Sequence, residues 1–144
     1  MKISVPLQII DLGEDGFHPL LDIVIFGKTY TVVLDTGASK TAFDKAILFE
    51  ANENATVNAS ERLSTGLGTN TMESAMAVIH HMAIGKLKIP EIEVAVLDLS
   101  TINIAYSQLG HPRVLGVLGG DILMKYKAVI DYGKRVIKLK KPDS

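Results

Sequence analysis

The sequence predicts a mainly β, single-domain protein, and three observations carry that expectation. Residues 20–26 and 29–34 are apolar, β-branched runs separated by Gly27-Lys28, the pattern of an antiparallel hairpin with a two-residue loop. Residues 75–84 and 89–97 are further strand candidates about Gly85-Lys86. The chain has 144 residues, 47% of them apolar, with no shift in composition and no internal repeat. One domain with a sizeable core is the expectation for such a chain.

The remaining elements follow in chain order. Residues 3–10 are apolar-rich and give way to a turn-like stretch, residues 11–16, containing Gly13 and Gly16. Thr41, with Asp44 three residues on, resembles a helix N-cap, and Ala46, Ile47, Leu48 and Phe49 supply an apolar stretch, so a short helix is expected over residues 42–51. After a polar segment, residues 63–69 are rich in Gly and Thr and look like the tip of a hairpin. Residues 98–113, with Gly110 and Pro112, read as a long connection. The C-terminal part predicts an apolar strand from residue 114, a short helix near residues 121–125, and strands over 128–132 and 135–139.

Charge and composition exclude several function classes. The formal net charge is −1 with both signs interspersed, which argues against the sustained basic surface that binds nucleic acid or anionic lipid. The one basic cluster, Lys134, Arg135, Lys138, Lys140 and Lys141, alternates with Val136, Ile137 and Leu139, as the solvent face of a last strand does. With no cysteine there is no disulfide, thiol nucleophile or cysteine–zinc site. No apolar stretch reaches membrane-spanning length and the first residues lack a signal-like apolar core, so no membrane association and a cytoplasmic location are expected.

The chemistry concentrates in Val32-Val33-Leu34-Asp35-Thr36-Gly37-Ala38-Ser39. An Asp directly after a β-branched, apolar run stands at the end of a buried strand, where a carboxylate costs free energy unless it is hydrogen-bonded or protonated. Gly37 allows a tight turn and a close backbone approach. Asp-Thr-Gly alone arises by chance in roughly one chain of this length in thirty, from average residue usage. The apolar lead-in and the Ala-Ser that follows sharpen it, and so does a second run, Val117-Leu118-Gly119-Gly120-Asp121-Ile122-Leu123, followed by Ala128-Val129-Ile130-Asp131-Tyr132.

Together these runs resemble the retropepsin-like aspartic proteases, the single-domain relatives of pepsin, over nearly the whole chain from residue 20 to residue 139. The resemblance implies a closed, barrel-like retropepsin-like β fold, with one short helix after the Asp-Thr-Gly loop and one near the C-terminus. It implies that Asp35 is catalytic, that Thr36 hydrogen-bonds across a two-fold axis, that Gly37 lines the substrate channel, and that Ala38 and Ser39 complete the loop. Gly66, Leu67 and Gly68 would form a flap offering backbone amides to a bound peptide, although the family often carries Gly-Gly at that tip and this chain has Gly68-Thr69. Val117, Leu118 and Gly119 would form the structural apolar-apolar-Gly turn. Val114-Leu115-Gly116 is a competing match, but Asp121-Ile122-Leu123 follows residues 117–119 as the family's helix start would.

Peptide hydrolysis of this class uses two carboxylates that share one proton, because like charges about 3 Å apart cannot both ionise. This chain has a single Asp-Thr-Gly, and Asp131-Tyr132-Gly133 lacks the Thr or Ser hydroxyl, so Asp131 reads as a turn acid. The second Asp35 must come from another copy, and a two-fold homodimer places identical residues across its axis. The expected function is therefore an aspartic endopeptidase acting on peptide or protein substrates, with no metal and no organic cofactor. The alternative is a non-catalytic dimerisation or peptide-binding module, to which Lys40 lends weight, since a cation so near the loop would hinder sharing of the proton. Other candidates are weaker. His80 and His81 are adjacent on an expected strand and would point to opposite faces. Ser64, Ser100 and Ser107 lack a nucleophile-elbow pattern.

Overall fold

A computed structural model of the chain describes residues 1–51, 57–63 and 73–142, with side chains for 1–51 and 75–142. The hairpin anticipated around residue 27 is formed by β3 (Phe17–Ile25) and β4 (Lys28–Leu34), in register from Leu20↔Val33 to Ile25↔Lys28. Its two loop residues are Phe26 and Gly27 rather than Gly27 and Lys28, and both have positive φ, 52° and 72°. This is the arrangement of turn whose twist matches the flanking strands. Phe26 tolerates the left-handed region while its ring packs against the main core.

The other hairpins build outward from this one. β7 (Glu73–Ile84) and β8 (Leu87–Leu97) pair in antiparallel fashion about Gly85-Lys86, with Gly85 at φ 57°. Between the two hairpins lie β5 (Ala42–Asp44) and β9 (Gly116–Leu118). β9 runs parallel to β4 and antiparallel to β5, and β5 runs parallel to β8. Val24↔Ala83 joins β3 to β7, so the ring β3-β4-β9-β5-β8-β7 closes on itself. β2 (Gln8–Asp11) extends the sheet beyond β3, and β6 (Val57–Leu63) extends it beyond β7. A separate sheet is built from β1 (Lys2–Pro6), β11 (Val136–Lys140) and β10 (Val129–Asp131), in the order β1-β11-β10. Three α-helices and a 3-10 turn at Gly13–Asp15 complete the described residues: α1 (Lys45–Ala51), α2 (Ser100–Gln108) and α3 (Gly120–Lys125). None is long and apolar enough to cross a membrane.

Two apolar clusters sandwich the strands that lead to Asp35. The main one holds Val32, Leu34, Leu21, Ile23 and Leu118, together with Ile137 from β11. The second holds Val33, Leu20, Val117, Val114 and Tyr106. Successive residues of a strand face opposite ways, so Val32-Val33-Leu34 and Val117-Leu118 have both faces covered. That is why these runs are continuously apolar instead of alternating. Gly116 is required where β9 crosses β5, since a Cβ there would collide with the Ala42 carbonyl.

Several sequence expectations are corrected. The apolar run over residues 3–10 is divided between two sheets: the chain leaves the β1 sheet at Leu7, whose N–H donates to the Arg135 carbonyl at 2.8 Å, and enters the barrel sheet as β2. The helix expected from residue 42 starts at Lys45, because Ala42, Phe43 and Asp44 are held as a strand by β8 and β9. Its cap is Asp44, whose Oδ2 accepts from the Ile47 N–H at 3.1 Å, and not Thr41. The stretch 98–113 contains α2, so three helices stand where two were expected. His80 and His81 do not take opposite faces. The chain bends at His81 (φ 60°), both side chains are exposed, and the buried positions shift from 77 and 79 to 82 and 84. β8 shifts in step at Pro90, which has no N–H to offer the ladder.

Candidate active site

β4 ends in three buried residues and releases the chain at Asp35, which is half-buried at the barrel's end. Asp35 is held from three sides. Its N–H donates to the Leu118 carbonyl at 3.0 Å, continuing the β4–β9 pairing by one residue. Its carbonyl accepts from the Ala38 N–H at 3.2 Å, which makes residues 35–38 a tight turn. Its Oδ1 accepts from the Gly37 N–H at 3.0 Å. An ionised carboxylate accepts such a bond without moving, so the side chain is oriented before any substrate arrives. Thr36, Gly37 and Ser39 are exposed, and Ala38 packs against the second cluster.

The loop is fastened to the segment after β9 by a buried network built on Thr41. The Thr41 hydroxyl donates to Asp121 Oδ1 at 2.8 Å and accepts from the Gly119 N–H at 3.0 Å. The Thr41 N–H donates to the same Asp121 oxygen at 3.0 Å, as does the Ile122 N–H at 2.9 Å. Alongside, the Gly120 N–H donates to the Ala38 carbonyl at 2.7 Å, and the Asp121 N–H to the Ser39 carbonyl at 3.1 Å. Gly119 admits this approach because a Cβ there would stand 2.7–2.9 Å from backbone atoms of Lys40 and Ala38. Val117, Leu118 and Gly119 thus end β9 and enter α3 beside the Asp35 loop, whereas residues 114–116 lead into the other end of the same strand.

Two further residues meet the site from outside the motifs. Tyr106, on α2, is buried, and its hydroxyl is 2.6 Å from Nδ1 of His18 on β3. Burial pushes the Tyr106 phenol up to about 12, and the Asp35 carboxylate pushes it in the same direction. The phenol therefore stays protonated over the range in which carboxyl chemistry operates. Lys40 turns away from this chemistry: its Nζ lies 2.9 Å from Glu93 Oε1 on β8, in a largely exposed ion pair. Asp131 accepts from the Lys134 N–H at 2.9 Å and stabilises the turn between β10 and β11. Gly66, Leu67 and Gly68 lie outside the described residues.

Sequence reasoning missed the roles of Thr41, Asp121, Tyr106 and His18. Thr41 and Asp121 each stand just before an apolar stretch, but nothing local pairs them, since their partnership spans eighty positions. Tyr106 and His18 lie eighty-eight apart and belong to no local pattern.

The family described as aspartyl protease matches residues 21–122, from β3 into α3. No curated protein sequence matches the chain. Among solved structures, a retropepsin-like aspartic protease from Rickettsia conorii is similar with a TM-score of 0.56 at 16% identity, over 100% of this chain and 94% of that one. The EIAV protease complexed with the inhibitor HBY-793 gives 0.55 at 20% identity, over 79% and 92%. The retroviral protease-like domain of Ddi1 from Leishmania major gives 0.54 at 14%, over 83% and 86%. At these identities the likeness is one of fold.

Proposed function

The chain belongs to the aspartyl protease family and has a retropepsin-like fold, and from that premise we propose that it is an endopeptidase whose active site is a dyad of two Asp35 carboxylates, one from each subunit of a homodimer. The observation that carries this reading is the contrast within one loop. Its base is locked by the Thr41–Asp121 network, while Asp35 is only half-buried and Thr36 and Gly37 are exposed. A rigid loop that offers a carboxylate, a hydroxyl and a glycine outward suits a second copy of itself across a two-fold axis.

In such a dimer the two carboxylates carry one proton between them, since two adjacent anions repel. The ionised member takes a proton from a water held between them as that water's oxygen bonds to the scissile carbonyl carbon. The protonated member gives its proton to the carbonyl oxygen. The C–N bond then breaks, with one proton passing to the leaving amine and the gem-diol collapsing to the acid. Gly37's bond to Asp35 Oδ1 fixes the carboxylate plane throughout, and Thr36 braces the two loops across the axis. Gly66, Leu67 and Gly68 are assigned to the flap that covers the peptide, and the substrate is an extended peptide or protein segment.

The test is digestion of a peptide library between about pH 3 and pH 7 with Asp35→Asn as control. Asn is nearly isosteric and keeps a hydrogen-bonding oxygen, but it cannot act as general base or share a proton. The wild type is expected to cleave and the variant to lose cleavage by a factor of about 10³ or more while remaining dimeric. Retained cleavage in Asp35→Asn would remove Asp35 from the mechanism.

A further inference from the structure

α2 is lightly anchored for an element so close to the proposed dyad. Among its residues only Tyr106 is buried. Ile102 packs partly against the second cluster, and Asn103 exchanges bonds with Val114, donating from Nδ2 to the carbonyl at 3.0 Å and accepting from the N–H at 2.8 Å. Asn103 thus ties the helix to the strand side that leads into β9. On the β3 side the tie is Tyr106, through its ring among Leu20, Val33 and Val117 and through its hydroxyl on His18. The rings of His18 and Tyr106 are tilted at 55° with centroids 5.9 Å apart, and the His111 ring stands nearly perpendicular to Tyr106 at 6.3 Å. The His111 Nε2 donates to the Asp11 carbonyl at 2.6 Å, so that ring is anchored independently of the pair.

The Tyr106 ring packs in the cluster that includes Val33, two residues before Asp35, and that Ala38, three residues after it, leans on. Burial first, and the nearby Asp35 carboxylate second, push the phenol upward. Helix and dyad loop are therefore neighbours, and a shift of one reaches the other through shared packing.

Resting on the protease reading above, we propose that Tyr106 and His18 are positioning residues: their hydrogen bond fixes α2 as a wall of the peptide cleft beside Asp35, so that a bound peptide meets the dyad in one register. Neither residue touches the reacting atoms. Removing the bond loosens the wall, which weakens substrate binding while leaving the carboxylate chemistry in place.

Steady-state cleavage of a responsive peptide separates this role from mere packing. Tyr106→Phe keeps the ring and deletes the hydroxyl, and His18→Ala deletes the hydroxyl's partner. Each is expected to raise KM about threefold to tenfold, the range spanned by one net hydrogen bond, with kcat within about twofold of wild type. The double variant is expected to be no worse than the poorer single, because both remove the same bond. His18→Asn, whose amide restores a polar atom near the place of Nδ1, is expected to recover most of the loss. An unchanged KM in Tyr106→Phe, multiplied effects in the double variant, or losses in kcat that merely track the folded fraction would each overturn the inference. A wild type that cleaves nothing at any pH overturns the protease reading, and this inference with it. A wild type that cleaves while the variants match it overturns the inference alone.

Discussion

Tyr106 is 2% exposed, and its phenol is held up to about 12, first by burial and then by Asp35. A raised folded-state value means that the native state keeps its proton where the unfolded chain, near pH 10, begins to lose it. The stability that this represents is fully present below about pH 10 and is lost as pH rises towards 12. Tyr106→Phe has no proton to lose. Wild-type stability is therefore expected to fall more steeply than that of the variant between about pH 9 and 12, in urea unfolding followed at several pH values. Parallel slopes would show that the phenol is not coupled to folding. Gly119 makes the complementary point at the same scale. Its lack of a Cβ is what lets residues 38–41 and 118–121 exchange bonds, so a single missing atom positions the site.

At the scale of elements, Asp44 joins three of them. It is buried as the last residue of β5, its Oδ2 caps α1 through Ile47, and its Oδ1 accepts from the Leu99 N–H at 2.8 Å at the entrance to α2. Asp44→Ala leaves both donors without that acceptor and is expected to cost roughly 2–3 kcal/mol in denaturant unfolding. Asp44→Asn, which keeps one accepting oxygen, is expected to recover part of it. A loss below about 0.5 kcal/mol would mean that water replaces the carboxylate at both helix starts. The same elements show why sequence patterns misplaced the start of α1 and missed α2. Thr41-Ala42-Phe43-Asp44 has a plausible capping spacing, but β8 and β9 claim residues 42–44 for the barrel and move the cap to Asp44. α2 contains the β-branched Thr101, Ile102 and Ile104 and buries only Tyr106, so it shows neither strong propensity nor an apolar stripe.

At the scale of the whole molecule, the barrel supplies one Asp-Thr-Gly loop, and the proposed chemistry needs two. Assembly and activity are therefore expected to be linked. Sedimentation should show a dimer at working concentration, and specific activity should fall on dilution through the dimer's dissociation constant. A monomer whose activity is proportional to its concentration would rule out the shared dyad. Because the bonds that lock residues 35–41 to 118–121 lie within one chain, the loop is expected to keep its form on dissociation, so that activity returns on reconcentration without refolding.

The sequence by itself determined the β architecture, the hairpins about residues 27 and 85, and the Asp35 loop with its downstream companion at 117–121. These are written in short-range signals: alternation or continuity of apolar residues, turn residues, and tripeptides of fixed composition. Only the tertiary structure decided that Thr41 binds Asp121 across eighty residues, that Lys40 is paired with Glu93, and that Tyr106 reaches His18 beside Asp35. It also decided that Leu7 divides one apolar run between two sheets. Each of these is a choice of partner among many polar or apolar groups. Closure of the barrel makes that choice, because β9 must enter between β4 and β5 before any of those side chains come within reach of one another.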